Sequence, residues 1–264
     1  MNKFFILLIS IVFFTSCSEY QKAIKKEDVA LKFSVAKKQY EKGKFSKAIR
    51  LFEQLAPAYR GKPQAENMFY MFAQSYYKTE QFYLSGYQFE SFVSSYPKSE
   101  MVEEAAFLGA KSYAMLSPEY SIEQGDTSKA ITKLQDFIDK YPSSTYLPEA
   151  NTSLKILADK IEKKVFENAK QYNTISDYKA ALIALDNFIA DFPGTSFKED
   201  ALYYKLDSAY NLAINSVPTK MQERLDNAKT AYNSLLKFNA APKKKSAADT
   251  MLSRIENDLK QFQK

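Results

Sequence analysis

The sequence predicts an all-α protein built from about five consecutive helix pairs, an α-solenoid, with one further helix covering its C-terminal end. Three observations predict this fold. Glycine and proline, which interrupt helices, number only six and nine in 264 residues. Apolar residues recur with a helical period from Val29 onward. Small and aromatic positions also recur from one helix pair to the next, as they do in repeat proteins.

The repeat is clearest over residues 66–97, which are predicted to form two antiparallel helices. Ala73 and Ser85 face each other, because small side chains let helix axes approach to about 8–10 Å. Pro97 follows the second helix, which its ring would block. The preceding pair matches at the same spacing, and together they resemble the tetratricopeptide (TPR) repeat. The matching positions are Ala36, Gly43, Phe45, Ala48, Phe52 and Leu55, then Ala73, Glu80, Phe82, Ser85, Phe89 and Phe92.

The later pairs are joined by a recurring link of an aromatic residue and proline. It occurs as Tyr96-Pro97, Tyr141-Pro142 and Phe192-Pro193. The third pair contains an enlarged loop at residues 117–127, where Asp126 or Thr127 is expected to cap the next helix. A long helix is predicted from Leu147 to Tyr172, and Pro218 suits the first turn of the last long helix.

These elements place five TPR-like repeats at residues 29–240 and a capping helix at residues 241–264. The capping helix carries one apolar stripe, which would cover the open end of the solenoid. Docking onto a partner is the other interpretation of that stripe. Its residues are Met251, Ile255, Leu259 and Phe262.

The first residues are predicted to be a lipoprotein signal peptide rather than part of the fold. Lys3 precedes an apolar run, Phe4–Phe14, that is too short to span a bilayer. Small residues then lead to Cys17, the only cysteine, in an arrangement that resembles the lipobox of bacterial lipoproteins. We therefore predict a signal peptide at residues 1–16, lipidation of Cys17 and a tether at residues 17–28. An ordinary secretory signal with an incidental cysteine is the alternative.

Composition argues against an enzyme. The chain has no histidine, and lipidation would use its one cysteine, so His-based catalysis, thiol nucleophiles and most zinc sites are excluded. No glycine-rich phosphate loop occurs, and the carboxylate pair Glu103-Glu104 is expected to face solvent. We predict no catalytic residue, no metal site and no cofactor.

The net charge is +6, or +5 once Lys3 leaves with the signal peptide, and the C-terminal segment 218–264 supplies +5 through ten Lys or Arg against five Asp or Glu. An exported chain rarely meets nucleic acid, so this segment is interpreted as a surface for a protein partner or for acidic lipid head groups, or simply as a solvated helical face.

A peptide-binding groove is predicted on the first helices of the pairs. Aromatic residues there precede long polar side chains by one helical turn, so that both lie on one face. Such a face suits an extended polypeptide whose backbone carbonyls or C-terminal carboxylate would meet Lys37, Gln74 and Lys111. The alternative is that the aromatic rings pack between repeats. The predicted groove residues are Phe33, Lys37, Tyr40, Tyr70, Gln74, Tyr77, Phe107 and Lys111.

Over residues 20–262 the sequence resembles the BamD/ComL family, most specifically in the phrases DKYPSSTYLPEA and ADFPGTSFKEDALYYKLDSAYNLA. The resemblance implies a periplasm-facing outer membrane lipoprotein of the β-barrel assembly machinery. It further implies that the N-terminal groove binds unfolded outer membrane protein precursors and that the C-terminal half binds a BamA-type barrel subunit. The lysine-rich segment 243–245 departs from the family pattern and has no assigned role. A TPR lipoprotein scaffold of pilus or peptidoglycan machinery is the alternative.

Overall fold

The computed structural model describes residues 19–62 and 65–262, which contain helices and connecting loops and no β-strand. Residues 19–25 are helical and precede the numbered helices. The predicted signal peptide and Cys17 lie outside the described residues. The numbered helices are α1 Val29–Glu41, α2 Phe45–Tyr59, α3 Ala65–Lys78, α4 Phe82–Ser95, α5 Val102–Ala114, α6 Gly125–Lys140, α7 Leu147–Thr174, α8 Tyr178–Asp191, α9 Lys198–Ile214, α10 Pro218–Phe238 and α11 Lys245–Leu259.

This all-α, TPR-like arrangement confirms the predicted fold class. A short 3-10 helix, Lys260–Phe262, follows α11. Within the described ranges, no helix is long and apolar enough to cross a membrane.

The chain divides into two compact units, and the boundary falls inside α7. Unit 1 comprises Met1–Pro118 and Gln124–Leu157, and unit 2 comprises Glu119–Glu123 and Ala158–Lys264. In unit 1 each helix from α1 to α6 packs against the next one along the chain, and α1 also contacts α3. In unit 2, α9 packs against α8, α10 and α11.

The seam between α3, α4 and α5 has the close approach that the sequence predicts. Ala73 and Ser85 are fully buried, and the Ser85 hydroxyl lies 3.4 Å from the carbonyl oxygen of Ala73. A Cβ atom placed on Gly109 would lie only 3.2 Å from the Cβ of Phe89. The backbones are therefore held close by small residues, and larger ones would force them apart.

Each aromatic–proline link is followed by a serine or threonine whose hydroxyl group bonds to the backbone just before the next helix. The side-chain oxygen of Ser99 accepts a hydrogen bond from the Met101 N–H at 3.0 Å, and that of Ser144 accepts one from the Tyr146 N–H at 3.1 Å. Thr195 acts in the same way at the third link. Such hydroxyl groups satisfy backbone donors that a helix start leaves unpaired.

We expect Ser144→Ala to lower the free energy of unfolding by about 1 kcal/mol, because Ser144 is buried and makes two hydrogen bonds. It accepts from Tyr146 and donates to a Glu103 carboxylate oxygen at 2.6 Å. The measurement is urea unfolding followed by circular dichroism. The neighbouring, exposed Ser143 gives the control Ser143→Ala, and an equal effect of both substitutions would contradict this assignment.

The enlarged loop corrects one sequence expectation. Helix α6 begins at Gly125, Gln124 is its N-cap residue, and Thr127 is buried inside the helix. Neither Asp126 nor Thr127 is therefore the cap. The Thr127 hydroxyl instead donates to the Gln124 side-chain oxygen at 2.8 Å. A buried hydroxyl inside the first turn can bond to the N-cap side chain but cannot occupy the N-cap position.

The described part of the predicted tether is packed on the fold. Residues 19–25 form a helical segment, and Tyr20 and Ala23 are buried in one core cluster with Val35 and Ala36 of α1. The lipid-tether role of residues 17–28 stays a prediction. If Cys17 is lipidated, few residues between the lipid and the first repeat lie outside the packed structure.

The lysine-rich segment 243–245 holds the start of α11 within unit 2. The backbone N–H of Lys243 donates to Glu199 at 2.8 Å, and Lys244 lies over the ring of Tyr204 at 4.3 Å. Lys245 pairs with Asp249 at 3.1 Å. The apolar stripe of this helix is also inward-facing, with Met251 and Ile255 buried among residues of α9 and α10 and with Leu259 and Phe262 packed against them.

Candidate peptide-binding face

The predicted groove residues that remain accessible lie on one face of unit 1, formed by the first helices of three successive repeats. We call this the groove face and define it by Lys37 and Tyr40 of α1, Gln74 and Tyr77 of α3, and Lys111 of α5. In each helix the residues are one helical turn apart or less, so they share a side. The contacts between helices show that these sides meet.

A hydrogen-bond relay connects the first two repeats. The Tyr40 hydroxyl donates to the side-chain oxygen of Gln74, and the Gln74 amide nitrogen donates to the Tyr70 hydroxyl at 2.8 Å. The carboxylate of Glu104 in α5 contributes to raising the pKa of Tyr70. Both ends of the Gln74 amide are therefore engaged inside the protein.

The tyrosines of this relay are held in their neutral form. Burial raises the pKa of Tyr70, and the hydrogen bond and negative charge of Glu104 raise it further. Burial also raises the pKa of Tyr40, with a second contribution from Glu104. A protonated phenol keeps its hydroxyl hydrogen, so Tyr40 can act as the donor to Gln74 that the relay requires.

A second polar contact crosses the face at Lys111. Its ammonium group forms an ion pair with Glu149 at the start of α7 and also interacts with Tyr77. The hydrogen bond that Lys111 donates to Glu149 is the main cause that raises the pKa of Lys111. This lysine is only partly exposed, and its charge is balanced within the protein.

Three predicted groove residues pack largely inside the protein. Phe107 is 2% exposed and belongs to the core beneath α5 and α6, and Tyr70 is 8% exposed. The Tyr70 ring packs edge-on against Phe89 and Phe92, with ring centres at 6.1 and 5.6 Å. Phe33 is partly buried and stacks on Tyr59 at 5.5 Å. For Phe107 and the ring of Tyr70, packing between repeats is what the structure shows.

The donors that were predicted to meet a ligand carboxylate already have partners. Gln74 bonds to two tyrosines and Lys111 pairs with Glu149. Lys37 is more accessible, because its contact with Glu41 is 3.9 Å long and both side chains are more than half exposed. The accessible groups of the groove face are therefore the rims of Tyr40 and Tyr77, the ammonium group of Lys37 and the carboxylate of Glu104.

Glu104 was missed by the sequence analysis, which expected Glu103 and Glu104 to face solvent. That expectation is wrong, because both are half-buried. Glu103 accepts a hydrogen bond from Ser144, and Glu104 contributes to raising the pKa of Tyr70. The repeat could have revealed Glu103, since Glu66 makes the equivalent bond to Ser99. The residue of α3 that corresponds to Glu104 is an asparagine, Asn67, so the repeat pattern does not indicate a carboxylate at this position.

Unit 1 also has a cavity of about 550 Å³ away from the groove face. It lies between α4, α5 and α6 over the small residues Ala105, Ala106 and Gly109, and none of the predicted groove residues lines it. For that reason it is not taken as the candidate site.

Stacked helix pairs with an aromatic and polar face across successive first helices define a TPR-like helical repeat protein. The family model of the YfiO outer membrane lipoproteins matches residues 25–225. This range covers most of the chain, and the chain therefore belongs to that family.

Two curated relatives support the same assignment at low identity. The chain is 20% identical over 187 residues to the outer membrane protein assembly factor BamD of Caulobacter vibrioides, a match that covers 71% of this chain and 61% of that protein. It is 24% identical over 202 residues to the protein of the same name from Rickettsia prowazekii, covering 75% of each. The chain thus spans less than two thirds of the Caulobacter relative.

Proposed function

We propose that this chain is a lipid-anchored, non-catalytic subunit of the machinery that assembles β-barrel proteins in the outer membrane. It is held at the membrane by a lipid on Cys17 and faces the periplasm. Membership of an outer membrane lipoprotein family and the printed names of both relatives support this proposal. The sequence before residue 19, with its apolar run and single cysteine, supports the anchor.

The groove face binds extended segments of unfolded outer membrane protein precursors in this proposal. The observation that carries it is the relay from Tyr40 through Gln74 to Tyr70, which joins the first two repeats into one aromatic and polar surface. Aromatic rims offer apolar contact, and the polar groups can bond to a peptide backbone. An unfolded barrel strand, with alternating apolar and polar residues, has matching chemistry.

The C-terminal half binds a BamA-type barrel subunit in the same proposal. Unit 2 leaves several large apolar side chains exposed, and such side chains commonly contribute to protein–protein interfaces. They are Ile175, Ile183, Val217 and Phe238.

Affinity purification of the tagged lipoprotein from cell envelopes tests the assignment to this machinery. Co-purification of a BamA-type barrel subunit is expected. A stable complex with pilus or peptidoglycan machinery, without any barrel subunit, would replace the proposal with the alternative scaffold role.

Photocrosslinking in cells tests the groove face itself. A crosslinking residue in place of Tyr77, which is half-buried on α3, is expected to capture unfolded barrel precursors. The matched control replaces Tyr87, which is 60% exposed on the second helix of the same repeat. Capture of precursors at 87 and not at 77 would place the binding surface elsewhere on unit 1.

A further inference from the structure

A cluster of lysines surrounds the turn between α1 and α2. Residues 37–47 contain five lysines and one glutamate, and all five lysine side chains are exposed. Gly43 forms the turn with a positive φ of 68°. We call the five residues the lysine cluster; they are Lys37, Lys38, Lys42, Lys44 and Lys47.

The repeat fold does not require lysine at these positions. The second repeat makes the corresponding turn between α3 and α4, where Glu80 takes the place of Gly43 and also has a positive φ, of 58°. The residues of this repeat that correspond to the lysine cluster carry no charge; they are Gln74, Ser75, Thr79, Gln81 and Leu84. The same helix pair therefore forms with neutral side chains, and the charge of the first repeat points to a role outside the fold.

Most of this positive charge is not balanced within the protein. Lys38 pairs with Glu19 at 2.6 Å, and the contact between Lys37 and Glu41 is 3.9 Å long. The other three lysines of the cluster form no ion pair with any residue in the ranges 19–62 and 65–262. Five lysines against these two glutamates leave a local excess of three positive charges on an exposed surface.

The start of the described chain lies beside this cluster. The helical segment that opens it is held in the core by Tyr20, and the ammonium group of Lys47 lies 5.3 Å from the centre of the Tyr20 ring. Glu19, the first described residue, is the ion-pair partner of Lys38. A lipid on Cys17 would be attached two residues before Glu19, and two residues of chain span at most about 7 Å. The proposed membrane anchor is therefore attached next to the lysine cluster.

We infer that the lysine cluster lies on the surface of the membrane that holds the lipid, with its ammonium groups against the phosphates of anionic lipid head groups. This inference rests on the lipid anchor of the proposed function. A lipid is a single point of attachment about which a protein can rotate, and a second, electrostatic contact beside it fixes the orientation. Because Lys37 and Tyr40 also belong to the groove face, the first repeat of that face would lie next to the membrane.

The test uses the mature lipidated chain in vesicles of phosphatidylcholine, either alone or with about 30% anionic phosphatidylglycerol. A fluorophore is attached at Ser46→Cys, an exposed position within the cluster, and with the lipid on Cys17 the chain has no other thiol. A nitroxide on the lipid head group quenches the fluorophore when the two meet. Quenching is expected to be about threefold stronger in the anionic vesicles at low salt. The difference should disappear at about 0.5 M salt, which screens the surface charge.

Lys42→Glu combined with Lys44→Glu is expected to remove the stronger quenching in anionic vesicles. Both side chains are exposed, so the fold should be unchanged, which circular dichroism checks. The matched control is Arg60→Glu combined with Lys98→Glu, which changes the net charge equally and should keep the stronger quenching. Both control residues are exposed in the links that follow α2 and α4, and Arg60 is separated from the cluster by the 15 residues of α2, a length of about 22 Å.

The outcomes separate the inference from the proposed anchor. Equal quenching in the two kinds of vesicle would overturn the inference and leave the anchor intact. Stronger quenching that survives the double substitution in the cluster, or that is also lost in the control, would do the same, because the attraction would then not come from these lysines. A purified chain whose mass shows no acyl group on Cys17 would overturn the anchor and the inference with it.

Discussion

A Phe89→Ala substitution is expected to lower the free energy of unfolding by about 3–5 kcal/mol, the cost of removing a buried phenylalanine and leaving a cavity. Phe89 is fully buried in α4, where its ring meets Tyr70 of α3 and its Cβ faces Gly109 of α5. The three helices meet at this side chain. They cannot move together to fill the space, because small residues already hold them at close distance.

Urea unfolding monitored by circular dichroism measures this effect, as a lower transition midpoint with an unchanged slope. The control is Tyr87→Ala, which removes an exposed aromatic side chain from the same helix. It is expected to change the free energy by no more than about 0.5 kcal/mol. A loss below about 1 kcal/mol for Phe89→Ala would mean that the seam relaxes around the gap and is looser than the structure shows.

The same substitution is expected to disturb the groove face, because Phe89 supports the ring of Tyr70. The hydroxyl of Tyr70 accepts a hydrogen bond from Gln74, which in turn accepts one from Tyr40, so a shift of this ring would disturb the relay between repeats. Tyr70 thus belongs both to the core and to the candidate site. Tyr70→Phe, which keeps the ring, is the better substitution for separating the two roles.

The helix pairs were predictable from the sequence because the same pattern of small and aromatic residues recurs in each repeat. Ala73 facing Ser85, the long helix beginning at Leu147 and Pro218 in the first turn of α10 all follow from spacing and backbone chemistry that act within one or two repeats. Helix starts were less predictable. At α6 the sequence predicted Asp126 or Thr127 as the N-cap residue. The helix begins earlier, at Gly125, and Thr127 is buried inside its first turn.

The candidate site was predictable only in part, because its contacts join residues far apart in the chain. Helical spacing placed Tyr40, Gln74 and Lys111 on first helices, but it could not show which donors the protein uses itself. Glu104 follows Glu103, and from the sequence this carboxylate pair was expected to face solvent. Its environment is set by tyrosines from α1 and α3, and no pattern within α5 contains that information.

A second large effect, a loss of stability, is expected in alkaline solution. It arises from three buried tyrosines of unit 1, which stay protonated in the folded chain. Tyr70, Tyr76 and Tyr113 are each at most 8% exposed. Burial raises the pKa of all three. Tyr76 and Tyr113 also donate hydrogen bonds to the carboxylates of Glu53 and Glu90, and the carboxylate of Glu104 acts on Tyr70, so that each pKa is raised further.

The sign of this effect follows from comparing the protonation of the tyrosines in the folded and unfolded states. Below about pH 10, the pKa of tyrosine in an unfolded chain, all three are neutral in both states and their contribution to stability is complete. Above that pH, the unfolded chain loses protons that the folded chain retains. Each such tyrosine then lowers the free energy of unfolding by about 1.4 kcal/mol per pH unit, or about 4 kcal/mol for the three together.

Urea unfolding at a series of pH values between about 8 and about 11 measures this slope, with phenolate absorbance reporting ionisation directly. The triple variant Tyr70→Phe, Tyr76→Phe and Tyr113→Phe is expected to be less stable at neutral pH, because Glu53 and Glu90 lose a hydrogen-bond donor and Gln74 loses an acceptor. Its loss of stability above pH 10 should nevertheless be shallower than that of the unmodified protein. Lysine deprotonation is common to both proteins, so equal slopes would show that these hydroxyls already reach water in the folded chain.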